Sequence, residues 1–334
     1  MSFGGCRASP RHRGSYWSLL NRAELRQRLG GSYHHARRHS RQDSCSAGPS
    51  LPPTRLLEFD VTTNAHPPAT LEGWYSLCVV ARFDRHAWRS TRDVSRQAAR
   101  SSAHEALARL SAPACGGWTE TVTLVGSTSD VLFLHLRPTL EDIAEVERII
   151  RSEPLWDSLI PTFSFLSVTE VALYGLSSRL LKETLSRGGE VGDASYREAL
   201  ELRLRAERSV SHIQHRLYPV PPPDMPYLCF YPMSKRRHAP HNWYALPLVE
   251  RERLMQGHGL TGQRYRGRIA QIITASTGFE EWEWGVTLFA RDPLDLKHVV
   301  TDMRYDPASA DYAEFGEFYL GKRCSPSDWL DTLA

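Results

Sequence analysis

Downstream of residue 56 the chain settles into a repeating order of short apolar runs and longer stretches whose apolar residues recur three and four positions apart. WYSLCVVARF (74–83) predicts a strand, and 87–110 predicts a helix. TVTLVGSTSDVLFLHL (121–136) predicts two β-branched strands around a turn at 126–130. Leu140, Ile143, Val146 and Ile150 then keep near-helical spacing, with Thr139 and Asp142 resembling a capping box at the start. FSFLSVTEVALY (163–174) predicts the strand that closes this half.

The same order then returns. MPYLCFYPM (225–233) predicts a strand, and PLVERERLMQGHG (247–259) a helix that ends at the glycines around His258. IAQIITASTGFEEWEWGVTLFA (269–290) predicts two strands around a turn at 277–280, PLDLKHVVTDMRYD (293–306) a helix, and GEFYLGKR (316–323) the last strand. Two successive β-α-β-β-α-β units predict an α+β fold of two tandem ferredoxin-like units, 58–176 and 225–324, whose sheets pack against each other. Residues 177–224 read as a charged helical connector and a stiff Pro-rich linker, and 325–334 as a tail. Residues 1–57, rich in Arg, His, Ser and Gly and without apolar period, predict a disordered basic extension. That composition suits a transit peptide, a basic tail or an over-long gene model alike.

Composition narrows the partners. Forty-one basic and 38 acidic residues leave a formal charge of +3, too near balance for nucleic-acid binding along the whole chain. No run approaches the roughly 18 apolar residues that span a bilayer. Six cysteines without a C-x-x-C pair fit a reducing compartment, and Cys78 and Cys229 sit in strand-like runs as small hydrophobes.

Chemistry concentrates between Cys229 and Ala290, in the strings Tyr-Pro-Met-Ser-Lys-Arg, Asn-Trp-Tyr and Trp-Glu-Trp-Gly-Val-Thr-Leu-Phe. On the residues alone His258 carries little, since a lone histidine is more often a cap or a surface residue. Tyr231 reads equally as a packed strand tyrosine, and Lys235, four positions on and so on the same face, as a solvated lysine. The strings, however, closely resemble the coproheme decarboxylases, or haem synthases, of the chlorite dismutase superfamily, and the likeness runs from about Leu71 to Arg323.

That resemblance implies a chlorite dismutase-like, dimeric α/β-barrel type of fold and a role for each matching residue. His258 takes the place of the proximal iron ligand and Tyr231 that of the redox tyrosine, whose radical removes a hydrogen from a propionate β-carbon. Lys235 takes the place of a cation that pairs a carboxylate or helps move the tyrosine's proton. Gln271 takes the distal place where chlorite dismutases carry arginine, and its neutrality points away from chlorite. Met233, Trp243 and Trp282 match residues around the porphyrin edge, and Arg304 and Ser309 match residues that hold propionates. The resemblance further implies iron coproporphyrin III as both substrate and cofactor, hydrogen peroxide as oxidant and haem b as product. It implies a cytoplasmic homopentamer in transient contact with the coproporphyrin ferrochelatase. The first half has no comparable set; Trp74, Tyr75, His86 and His104 read as packing or surface residues. Two other functions stay open: a chlorite dismutase or peroxidase-type haem enzyme, and a carrier or sensor that binds porphyrin without turnover.

Overall fold

The computed structural model describes residues 66–333, so the basic extension expected over 1–57 lies outside the described residues. Strand β1 (Thr70–Phe83) buries Val79, Val80 and Ala81 in succession, because both of its faces are covered. The helix expected over 87–110 is two helices, α1 (Arg85–Ser90) and α2 (Asp93–Ser111). The Asp84 carboxylate caps α1 by accepting the N–H groups of His86 and Ala87. Extended backbone at Thr91 and Arg92 then lets α2 start afresh with Asp93 in its first turn. Strands β2 (Trp118–Leu124) and β3 (Val131–Arg137) follow, then α3 (Leu140–Ser152), capped as expected by Thr139, whose hydroxyl accepts the Asp142 N–H, and β4 (Leu159–Ala172).

The connector is packed rather than loose. Helix α4 (Tyr174–Ser186) buries Leu176, Leu180 and Leu181, α5 (Ala194–Arg208) is largely solvated, and α6 (Ser211–Leu217) buries Ile213 and Leu217. The second half runs β5 (Tyr227–Lys235), α7 (Leu248–Gln263), β6 (Ile269–Ala275), β7 (Trp284–Ala290), α8 (Pro293–Arg304), α9 (Pro307–Ala310), β8 (Ala313–Phe315) and β9 (Tyr319–Cys324).

Each half orders its four long strands alike: β4-β1-β3-β2 in the first and β6-β7-β5-β9 in the second, all antiparallel. The two sheets do more than face each other. β4 pairs with β6, and β2 pairs with β9, so eight strands close into a ring, with β8 added outside against the end of β5. Closure pairs the edges that two separate sheets would expose. At the β2–β9 seam the backbones crowd so closely that a Cβ on Gly321 would lie 2.3 Å from the Thr123 carbonyl oxygen.

The ring interior is filled from both halves by Cys78, Val80, Val122, Leu132, Leu134, Phe165, Leu228, Phe230, Ile272 and Phe289. Phe163, Phe165, Phe230 and Tyr319 stack there with centroids 5.4–6.2 Å apart, a geometry favourable beyond area burial alone. Helices cover the outer faces. Residues read as a tail form α10 (Pro326–Asp331), started by a Ser325–Asp328 capping box. Its Trp329 and Leu330, with Leu333, bury against α2 and β3, because three closely spaced apolar residues need a surface to cover. The described residues, 66–333, fall within one compact unit.

Candidate functional site

The outer face of the second half is an apolar floor built by strand alternation. Tyr231 stands on β5 opposite Val286 of β7, which in turn stands opposite Ile273 of β6; one row away lie Cys229, Leu288 and Gln271. Tyr231 and Gln271 therefore share a face, one β-strand apart, while Phe230 points into the ring. The Tyr231 ring stacks on Phe318 at 4.3 Å and 24° and meets Phe315 at 5.9 Å. Its hydroxyl has no hydrogen-bond partner among the described residues. Burial pushes the phenol's pKa well above its ordinary value, with Cys229 adding to the rise and the Arg304 charge opposing it. The Arg304 guanidinium itself lies over Phe315, 4.2 Å from the ring centre.

His258 does not end its helix. α7 runs on through Gly257 and Gly259 to Gln263, since a mid-helix glycine costs only about 1 kcal/mol and need not stop it. His258 Nδ1 lies 2.8 Å from the Asp306 carboxylate, and the two side chains are 29% and 4% exposed. The buried carboxylate fixes one ring nitrogen, so Nε2 is the nitrogen left to bind a metal. Asp306 sits between α8 and α9, where Ser309 Oγ approaches its carboxylate at 3.4 Å. Nothing in the sequence marked Asp306, whose partner lies 48 residues away; only its place just before Pro307, a helix-start signal, was readable.

The hydrogen-bond partner of the Lys235 ammonium among the described residues is a backbone carbonyl. Four extended residues carry it roughly 13 Å from Tyr231, and its ammonium donates to the Ala308 carbonyl at 2.6 Å, 4.2 Å over the Trp243 ring. Burial pulls its pKa down to about 8, against the opposing charges of Asp306 and Glu283. Trp243 is 2% exposed and packs among Leu254, Ala308, Tyr174 and Tyr312.

The structure thus brings His258, Asp306, Ser309, Lys235 and Trp243 into one linked group. Tyr231, Met233 and Gln271 share the neighbouring floor, with Arg304 at its rim. Trp282 joins neither; it packs with the ring interior on the other side of the sheet, its indole near Gly316. Trp282 precedes the first residue of β7, so strand alternation never governed its direction.

The family model described as chlorite dismutase matches residues 96–324. The chain belongs to the chlorite dismutase family. A coproheme decarboxylase from Staphylococcus carnosus is 35% identical over 266 residues, which cover 79% of this chain and 96% of that protein. A relative from Natronomonas pharaonis, named for haem binding, is 39% identical over 270 residues, or 80% of this chain; the match spans only 42% of that longer protein. Among solved structures, a haem-binding protein from Thermus thermophilus superposes with a TM-score of 0.67 at 32% identity, covering 80% of this chain and 97% of the other. Among the described residues no helix is long and apolar enough to cross a membrane.

Proposed function

We propose that this family member converts iron coproporphyrin III to haem b, using hydrogen peroxide to turn two propionates into vinyl groups through a three-propionate intermediate. Each propionic acid side chain and one peroxide give one vinyl group, one carbon dioxide and two waters. The observation that carries the reading is a buried phenol, Tyr231, on the same apolar floor as the neutral Gln271, together with a histidine whose Nδ1 is tied to a carboxylate. Support comes also from the likeness to the coproheme decarboxylase of Staphylococcus carnosus.

The residues fit such a substrate. A Cβ at Gly257 or Gly259 would meet no atom within 4 Å, so the helix is open on both sides of His258. Met233, Ile269, Ile273, Phe315 and Phe318 leave the floor partly uncovered, as a flat apolar ring requires. When bound, the iron supplies the activation of peroxide. Asp306 holds the His258 proton on Nδ1 and aims Nε2 at the metal. Lys235 sets its ammonium on the Ala308 carbonyl, in the short helix that Asp306 opens. Arg304 holds a carboxylate at the rim, and Gln271 stands on the distal side without a charge to retain an oxychlorine anion. The Tyr231 phenol gives up an electron and a proton and then removes a hydrogen from the propionate β-carbon; loss of a second electron and of carbon dioxide leaves the vinyl. With this reading go a cytoplasmic homopentamer and delivery of substrate by the coproporphyrin ferrochelatase.

Purified protein loaded with iron coproporphyrin III and titrated with hydrogen peroxide tests the proposal by mass spectrometry. The porphyrin is expected to lose two carbon dioxide units and four hydrogens. Side chains that survive while the ring bleaches, or oxygen released from chlorite, would put a peroxidase or chlorite dismutase in its place.

A further inference from the structure

The strings Tyr-Pro-Met-Ser-Lys-Arg and Asn-Trp-Tyr, at 231–236 and 242–244, and Trp-Glu-Trp-Gly, about 40 residues further on, meet at one side chain, that of Glu283. Its carboxylate accepts the Lys235 backbone N–H at 2.7 Å, lies near the Tyr244 phenol and faces the Arg237 guanidinium at 3.9 Å. Its own N–H donates to Met233 O and Ser234 Oγ, both at 3.1 Å, and its carbonyl accepts the Ser276 N–H at 2.7 Å. The side chain is 7% exposed, deep enough that its charge is poorly screened.

A buried carboxylate on this scale needs partners, and a plain structural role would be met by a neutral amide of the same shape. What an amide lacks is charge, and the nearest buried group that responds to charge is Lys235. We propose that Glu283 is the positioning residue for Lys235: it fixes where the lysine leaves β5, holds the turn that carries Trp243 beneath the ammonium, and sets a negative charge against the lysine's own backbone. The other charges around Lys235 are Asp306 at the head of α9, Glu314 on β8 opposite Ser234, and Arg236 and Arg237 in the following loop; Tyr244 and Tyr312 are the nearby phenols. The two carboxylates act together against burial. This inference rests on the functional reading above only in assuming that the Lys235 charge is used.

Its test does not need turnover. The chain has only four lysines, Lys182, Lys235, Lys297 and Lys322, so lysine-selective ¹³C labelling of the full-length protein gives a spectrum simple enough to titrate, with Lys235 assigned by Lys235→Arg. In Glu283→Gln the Lys235 midpoint is expected to fall by about one pH unit, while the other three stay in place. Should Glu283→Gln fail to fold, Glu283→Asp, which moves the charge away by one methylene, is expected to shift the midpoint the same way by less. In the loaded enzyme, the alkaline limb of the decarboxylation profile moves acidward with the midpoint, and Glu283→Gln adds no further loss to Lys235→Met. A Lys235 midpoint unmoved in both Glu283 variants overturns the inference and leaves the functional reading intact. A shifted midpoint in a protein that never decarboxylates upholds the inference and sinks that reading.

Discussion

The two halves of the ring share a strand order, yet their helix-covered outer faces differ. In the first half α2 brings Ala99, Ala103 and Ala106 down onto β3, close enough to bury Phe133, His135 and Arg137 almost completely. In the second half α7 leaves open space at Gly257 and Gly259, on either side of His258, and the floor at Met233, Ile269, Ile273 and Phe315 stays partly uncovered. The polar groups follow suit. Beneath α2, the Arg137 guanidinium donates to the carbonyls of Leu110, Trp118 and Leu136, so it serves as a cap on the last turn of α2, and Thr119 bonds His135. In the second half, His258 and Tyr231 each keep a reactive atom without a partner among the described residues. One scaffold, used twice, is sealed on one side and left open for chemistry on the other.

That contrast can be broken by substitution. Tyr231→Phe is expected to cut decarboxylation by about 10²–10⁴-fold while iron-porphyrin binding, read from the Soret band, is unchanged; an equal loss of binding would make the tyrosine part of the floor only. Arg137→Met should cost about 2 kcal/mol in urea unfolding, from carbonyls left without donors, and leave coproheme turnover alone. Asp306→Asn is expected to weaken iron-porphyrin affinity about 10–100-fold, because the orientation of His258 is lost, with little change in melting temperature. His135 supplies the smallest effect at neutral pH. Burial drops its pKa to about 3, with Arg137 helping, so it stays neutral in the folded protein while the unfolded chain takes up a proton below about 6.5. Stability from this source is intact above pH 6.5 and drains away as pH falls toward 3, by about 2 kcal/mol at pH 5. Urea midpoints of wild type and His135→Gln should therefore converge toward pH 5; parallel curves would exclude the histidine.

Much of this was legible in the sequence. Alternation placed Tyr231 opposite in direction to Phe230, and the capping pair Thr139–Asp142 located the start of α3. What alternation lacks is distance information. The pairings that close the ring, β4 with β6 and β2 with β9, join segments about 100 and 200 residues apart, and no local pattern encodes them. Asp306 and Glu283 escaped notice for the same reason, since each matters through a partner 48 residues away. Glycine often ends helices, which makes Gly259 a natural stop in the sequence, but here the helix carries it through. For Trp243 and Trp282 an aromatic type alone could not choose between a pocket wall and a core.

The seating of α10 against α2 and β3 sets an order of events during synthesis. Trp88, whose indole N–H donates to the Leu333 carbonyl, and Phe133, edge-on to Trp329, belong to the first half, yet the surfaces that cover them are translated roughly 200 residues later. The first half therefore leaves the ribosome with an unfinished core and an unpaired β2 edge, and both are completed in one late step when β9 and α10 arrive. A stop codon ahead of β9 and α10 would strand the half of the molecule that carries none of the proposed chemistry.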